Sequence, residues 1–349
     1  MRSRIFESSR FLCLGALFLF CPLRNSAQSS GDYERATEAF RSGDFSAAAS
    51  LFASAEAAAP GVTDALVYQA RSLVHLQNFA AAENTLRRYL ALHADSDDAL
   101  YLLGFVLHRQ NKPGESLEIY TKAAARKPPT GDDLKIVGLD YVLLNDYSDA
   151  IKWLEKAVQF EPNNKDAWYY LGRAYYTKGI LEPARKAFET VLTLDPEDAR
   201  AENNLGLIFE SQARLDEAAT AYRTAIAWQE KSRRPSEQAY VNLGSLLLEE
   251  DHPDQALQFL QKAVELAPRE AFCRLKLGAV YLRLARLSEA RQELEKAAEL
   301  DPENAAIHYQ LGRFYKQNHQ LDRAKAEFDR TAELQSRAAA ANLQSPTQP

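Results

Sequence analysis

Leucine followed by glycine recurs along this chain at a nearly constant interval. The pair stands at Leu103-Gly104, Leu171-Gly172, Leu205-Gly206, Leu243-Gly244, Leu277-Gly278 and Leu311-Gly312, with Val137-Gly138 as a close variant. The successive steps are 34, 34, 34, 38, 34 and 34 residues, and the same phase runs back to Ala70 and Ala36. Seven of the 14 glycines fall on it, too many for coincidence. A period of this length means a stack of supersecondary units, each burying its apolar face against its neighbours.

With that Gly or Ala at position 8, the chain divides into nine units: 29–62, 63–96, 97–130, 131–164, 165–198, 199–236, 237–270, 271–304 and 305–338. Position 20 is small in every unit, as in Ala48, Ser116, Ala184 and Ala290. Position 24 is large and apolar, as in Phe52, Tyr120, Phe188, Tyr222 and Phe328. Position 32 is proline in six units: Pro60, Pro128, Pro162, Pro196, Pro268 and Pro302. Apolar residues three and four apart, such as Trp168, Leu171 and Tyr175, mark amphipathic helices. A break near positions 15–17, at Gly43-Asp44, Lys178-Gly179, Pro113 or Pro253, separates a helix A from a helix B. Small residues at positions 8 and 20 let the two backbones approach. Proline at position 32 ends helix B, and the polar residues after it, as in Pro162-Asn163-Asn164, suit the start of the next helix. The sixth unit carries four extra residues in Trp228–Glu237, about one helical turn, so its helix B is expected to run one turn longer.

The stretch KDAWYYLGRAYYTKGILEPARKAFETVLTLDP resembles the tetratricopeptide repeat at Trp168, Leu171, Gly172, Tyr175, Ala184, Phe188 and Pro196. The likeness covers 29–338. It implies an all-α fold, a right-handed α-solenoid or superhelix of about nine antiparallel helix pairs, with helix A lining a concave groove. It also implies a non-enzymatic scaffold for protein–protein interaction. The chaperone-binding members' carboxylate clamp, with Lys at position 5 and Asn at positions 6 and 9, is not matched: position 5 offers only Lys135 and position 9 has no Asn.

Arg2, Arg4 and Arg10 precede an apolar run from Phe11 to Leu23, and Asn25-Ser26-Ala27 offers a cleavage site before Gln28. Residues 1–27 therefore read as a secretory signal peptide, and the mature chain as periplasmic or secreted. The run is too short to span a bilayer comfortably, so no membrane span is expected after cleavage; an uncleaved N-terminal membrane anchor is the alternative. Cleavage removes four Arg and one Glu and takes the formal charge from −6 to about −9, which disfavours nucleic acid. Cys13 and Cys21 leave with the signal, so Cys273 stands alone, without an intrachain disulfide and suited to a small buried site. Residues 339–349 read as a tail that first extends the last helix, since AELQSRAAAANLQ holds no breaker before Pro346.

No GxGxxG, GxxxxGK[ST], HExxH or GxSxG motif occurs, and no enzyme activity, cofactor or metal is expected. His75 and His108 lie near positions 12–13 of neighbouring units without a Cys or carboxylate cluster, which reads as surface polarity rather than a metal site. Asp64, Asp98, Asp132 and Asp166 each sit at the start of a helix A, where they favour its dipole. The exposed stripe of helix A is rich in anchors: Arg71, Tyr101, Phe105, Arg109, Tyr169, Arg173, Tyr176, Tyr309 and Arg313. Aromatic and Arg side chains are the usual hot spots of interfaces, and packing between successive A helices is the other use of such residues. Tyr169–Arg173 and Tyr309–Arg313 are i,i+4 pairs in which each Arg is expected beside its ring. The groove then holds a peptide or protein ligand with apolar and acidic groups; carbohydrate binding or envelope assembly is the alternative, because aromatic grooves also suit sugar rings.

Overall fold

The computed structural model describes residues 22–60 and 64–344. Most of the expected signal peptide, 1–21, and the last five residues lie outside the described residues. Among those described there are eighteen α-helices and no strand, as the 34-residue period predicts. The chain divides after Leu144 into two compact units, with the division falling inside the expected fourth repeat.

Unit 1 holds α1 (Pro22–Arg41), α2 (Phe45–Ala58), α3 (Ala65–His75), α4 (Phe79–Leu92), α5 (Asp97–Arg109), α6 (Pro113–Ala124) and α7 (Gly131–Leu143). Unit 2 holds α8 (Tyr147–Phe160), α9 (Lys165–Thr177), α10 (Leu181–Leu194), α11 (Ala199–Ser211), α12 (Leu215–Gln229) and α13 (Gln238–Glu249). It continues with α14 (Pro253–Leu266), α15 (Ala271–Arg283), α16 (Leu287–Leu300), α17 (Ala305–Gln317) and α18 (Leu321–Gln344). Within each unit, helices adjacent in the chain pack on one another. The cleavage point expected after Ala27 falls within α1.

Each link from helix A to helix B turns through one left-handed residue, always at position 15: Gly43, Gln77, Asn111, Asn145, Gly179, Ala213, Asp251, Ala285 and His319. Around it the last turn closes by a paired motif, as where Gly179 N donates to Tyr176 O at 2.8 Å and Ile180 N to Tyr175 O at 2.9 Å. The next residue often caps helix B: Asp44 accepts from Ala47 N at 3.0 Å and Asn78 from Ala81 N at 3.3 Å. A Cβ in the left-handed region costs about 1–2 kcal/mol, partly offset by the greater unfolded-state freedom of glycine. Ala213 (φ 57°) and Ala285 (φ 55°) carry that strain. Ala213→Gly is therefore expected to raise the unfolding free energy by roughly 0.5–1 kcal/mol and Gly179→Ala to lower it by about 1 kcal/mol, read by urea denaturation. An unchanged midpoint in both would mean that the turns are unstrained.

The cores follow the period. In unit 1 the fully buried side chains include Phe52, Leu86, Leu103 and Leu107; in unit 2 they include Leu154, Phe188, Ile208, Tyr222, Leu243, Leu260 and Leu294. Cys273 is buried among them, and burial pushes its thiol up to about 12. The position-6 residues Asn204 and Asn242 are used internally, the first donating to Arg200 O at 2.7 Å and the second to Asn203 Oδ1 at 2.9 Å.

The extra residues of the sixth unit do not lengthen helix B by a turn. α12 has 15 residues against 14 in α10 and α14, and the insertion forms a loop before α13. Ser232 N donates to Gln229 O at 2.8 Å, and Ser236 N to the Gln229 side chain at 3.0 Å, so the chain doubles back. Pro235 then excludes helix. α18 has 24 residues, the longest among the described helices. Its residues from Gln335 to Ala340 are exposed, so the Ala-rich sequence carries this extension largely on its own propensity.

In unit 1, Glu83 on α4 accepts from Arg87 Nε at 2.8 Å, Gln110 Nε2 at 2.9 Å and Lys112 Nζ at 2.8 Å. Burial works against its charge, but the hydrogen bonds from Lys112, Arg87 and Gln110 outweigh it and hold the carboxyl near 2, below its ordinary 4.5. A lowered folded-state value stabilises above the unfolded value, and that contribution fades as pH falls from about 4.5 toward 2. Glu83→Gln is expected to cost about 1–2 kcal/mol at neutral pH, with the two proteins converging in stability in that acid window. A difference that persists undiminished below it would contradict the assignment.

Candidate functional site

The sequence of α5 sorts its side chains onto two faces. Ala99, Leu100, Leu103, Gly104, Val106 and Leu107 are buried. Tyr101, Phe105 and Arg109, four residues apart, therefore share the other face. Beside them stand Arg71 on α3 and Lys135 and Ile136 on α7. Together these helices enclose a cavity of about 330 Å³, lined by Arg71, Tyr101, Leu102, Phe105, Tyr120, Asp132, Asp133, Lys135 and Ile136. That volume is at the lower end of the range of about 300–1,000 Å³ for ligand pockets. A second cavity of about 210 Å³ shares Arg71, Tyr101 and Asp133 and continues over Asp98, Lys127, Pro128 and Thr130.

The cavity is held by internal bonds. Tyr101 Oη donates to Lys127 O at 2.5 Å. Burial, with Asp133 and Asp97 nearby, raises the Tyr101 hydroxyl, and burial raises that of Tyr120 further. Thr130 and Asp133 form a capping box at the start of α7, with Asp133 Oδ2 accepting from Thr130 N at 2.9 Å. Lys135 pairs with Asp132 at 2.5 Å and Lys127 with Asp98 at 3.0 Å. Arg109 stacks over Phe79 at 4.6 Å and lies 5.8 Å from the Phe105 centroid.

Three of the sequence-derived candidates, Arg71, Tyr101 and Phe105, thus line one cavity, and Arg109 flanks it. Sequence reasoning assigned Tyr120 only to packing and did not single out Asp133, Leu102 or Ile136. The pattern Thr130-x-x-Asp133 was the available signal for Asp133.

The candidates in unit 2 behave differently. Tyr169 is 7% exposed, packed edge-on against Phe188 and Tyr170 with centroids 5.8 and 5.5 Å away. The guanidinium over its ring, at 4.6 Å, belongs to Arg200 on α11, not to Arg173. Arg200 is fixed in turn by Asp198 at 3.0 Å. Tyr169 is thus a packing residue between A helices, and the expected Tyr169–Arg173 stack gives way because Arg200 occupies the ring face. Arg173 is exposed, and Tyr176 Oη lies 3.3 Å from Ser211 Oγ. Tyr309 is 48% exposed beside Phe328, while Arg313 donates to Gln310 Oε1 at 3.1 Å rather than lying over the Tyr309 ring. His75 and His108 are engaged separately: His75 stacks on Phe45 at 3.9 Å, and His108 Nδ1 lies 2.7 Å from Asp140 Oδ1. Of the Asp series, Asp64 accepts from Tyr89 Oη at 2.7 Å and Asp166 stands 3.6 Å from Arg200.

Family models described as tetratricopeptide repeat match residues 39–104, 165–198, 197–269 and 281–345, and one described as TPR repeat matches 138–179. Together these matches cover most of the chain. It is a tetratricopeptide-repeat protein. No curated protein matches the tetratricopeptide-repeat chain by sequence. Among solved structures, a tetratricopeptide repeat protein from Parabacteroides merdae aligns with TM-score 0.59 and 17% identity over 76% of this chain and 97% of its own. The APC/C hetero-tetramer Cut9-Hcn1 aligns with TM-score 0.58 and 18% identity over 78% of this chain, which spans 53% of that chain's length. PilW, described as a type IV pilus biogenesis factor, aligns with TM-score 0.51 and 20% identity over 62% of this chain and 95% of its own. At such identities the likeness is one of fold.

Proposed function

We propose that this protein is a non-enzymatic interaction scaffold whose unit 1 groove, formed by α3, α5 and α7, docks a segment of a partner protein. The tetratricopeptide-repeat fold supports the scaffold class. The observation that carries the site is the cavity of about 330 Å³ in which Tyr101, Phe105 and Arg71 converge. Aromatic and Arg side chains around a concave pocket supply both the apolar contact and the orientation that interfaces concentrate at their centres. Among the described residues there is no cluster of His, Cys, Asp or Glu arranged to hold a metal ion, and the groove side chains are suited to binding. The basic N-terminus and following apolar run support export to the periplasm or beyond the cell. No described helix is long and apolar enough to cross a membrane.

Affinity capture from envelope extract, run in parallel with the native chain and Tyr101→Ala/Phe105→Ala, tests the site. Partners captured by the native chain should be lost from the variant; identical captures would place docking elsewhere. Intact mass of the product in the exported fraction should correspond to a chain beginning at Gln28, and retention of residues 1–27 would favour the membrane anchor.

A further inference from the structure

The charges around the unit 1 cavity narrow what it can hold. Two of its basic groups are already committed, Lys135 to Asp132 and Lys127 to Asp98. One carboxylate oxygen of Asp133 is committed to the Thr130 amide and hydroxyl, at 2.9 and 2.7 Å. Arg71 differs. It is half-buried, its guanidinium lies 5.3 Å from the Tyr68 centroid, and it makes no ion pair among the described residues. Arg109 is exposed, lies over the rings of Phe79 and Phe105, and makes no ion pair among the described residues. Phe105 is common to both, lining the cavity with Arg71 and lying under the guanidinium of Arg109.

We infer that the groove recognises a partner segment in which an aromatic residue is flanked by acidic ones. This rests on the docking reading above and specifies its ligand. The aromatic ring sits against Tyr101, Leu102, Phe105 and Ile136, and the flanking carboxylates reach Arg71 and Arg109. A seated ring excludes water from the half-buried Arg71 guanidinium, which then needs an anionic partner, and a carboxylate matches the fork of Arg71 and of the exposed Arg109 in a bidentate way. A basic segment would bring like charge to both arginines, and Asp98 and Asp132 already pair with Lys127 and Lys135. A doubly charged phosphate would bring a second negative charge beside Asp133, which pairs with no Lys or Arg among the described residues, so a singly charged carboxylate fits better. The second cavity continues past Arg71, which leaves room for residues beyond the aromatic one.

The test is fluorescence anisotropy with the full chain and short labelled Gly/Ser peptides carrying Glu-Trp-Glu, Gln-Trp-Gln, Lys-Trp-Lys or Glu-Ala-Glu at the centre. Glu-Trp-Glu should bind at least about tenfold more tightly than each of the others. Arg71→Gln/Arg109→Gln should remove its advantage over Gln-Trp-Gln, while Arg173→Gln in unit 2 leaves it intact. Phe105→Leu, which preserves an apolar side chain and so the fold, should weaken every Trp-containing peptide. Equal or tighter binding of Lys-Trp-Lys or Gln-Trp-Gln that still responds to Phe105→Leu would overturn the acidic preference and leave the docking site standing. Binding indifferent to Phe105→Leu and to the arginine variant, or no binding by any peptide, would overturn both. Circular dichroism of each variant confirms that the helices remain.

Discussion

Phe188→Ala is expected to lower the stability of unit 2 by about 3–5 kcal/mol, as truncation of a fully buried aromatic ring does. Phe188 is wholly buried between α9 and α10, and its ring lies where a Cβ on Gly172 would be, 2.9 Å from Cε1 and Cζ. The glycine and the ring are two halves of one contact: the absent Cβ is the space that the ring fills. The same arrangement recurs with Gly206 under Tyr222, Gly244 under Leu260, Gly278 under Leu294 and Gly312 under Phe328. The reverse error, Gly172→Leu, overpacks the contact and should cost about 1–3 kcal/mol. In a double-mutant cycle, Gly172→Ala and Phe188→Leu should be less than additive, because the smaller partner makes room for the methyl. Guanidinium denaturation followed by circular dichroism reads all three. A loss below about 1 kcal/mol for Phe188→Ala would mean that the ring is not the filler of that space.

That contact shows where periodicity was sufficient. A single phase located Gly172, Phe188 and the turn residue Gly179 without any structure, because identical units must meet identical packing demands. The left-handed residues Gln77, Ala213 and His319 fall on that same phase, although their side chains carry no turn signal of their own. The small residues at positions 8 and 20 do meet where Ser116 Oγ donates to Gly104 O at 2.9 Å. The closest neighbour of a position-8 Cβ is nevertheless the position-24 side chain, which a search for small residues alone overlooks. Groove exposure was less legible. Tyr101 and Tyr169 occupy the same position in their units, yet one lines a cavity and the other is covered by Arg200. Periodicity says which face a side chain shares, while its cover comes from a residue about one repeat later that need not be periodic. The insertion after Trp228 failed for a related reason: its four residues match a helical turn in number, but Pro235 and the Gln229 side chain decide their path.

His108→Ala is expected to cost unit 1 about 3 kcal/mol, although His108 reads from sequence as surface polarity. The reason lies on the neighbouring A helix. Asp140 on α7 is completely buried, and its Oδ1 lies 2.7 Å from His108 Nδ1. The two groups share this one hydrogen bond across the pair. The other carboxylate oxygen, Oδ2, accepts no hydrogen bond among the described residues, which leaves His108 as the partner on which this buried carboxyl depends. Removing the imidazole strands a desolvated carboxyl, and that penalty exceeds the worth of the bond itself. Asp140→Ala should be milder, because the His108 side chain remains 14% exposed and can turn to water. The double variant His108→Leu/Asp140→Leu should recover much of the His108→Ala loss, since a buried polar pair replaced by apolar groups of similar size leaves nothing unsatisfied. The order of stabilities in urea is therefore the test: His108→Ala below Asp140→Ala, and His108→Ala below the double leucine variant. If His108→Ala instead costs less than Asp140→Ala, the carboxyl has another partner and the imidazole is dispensable to the fold.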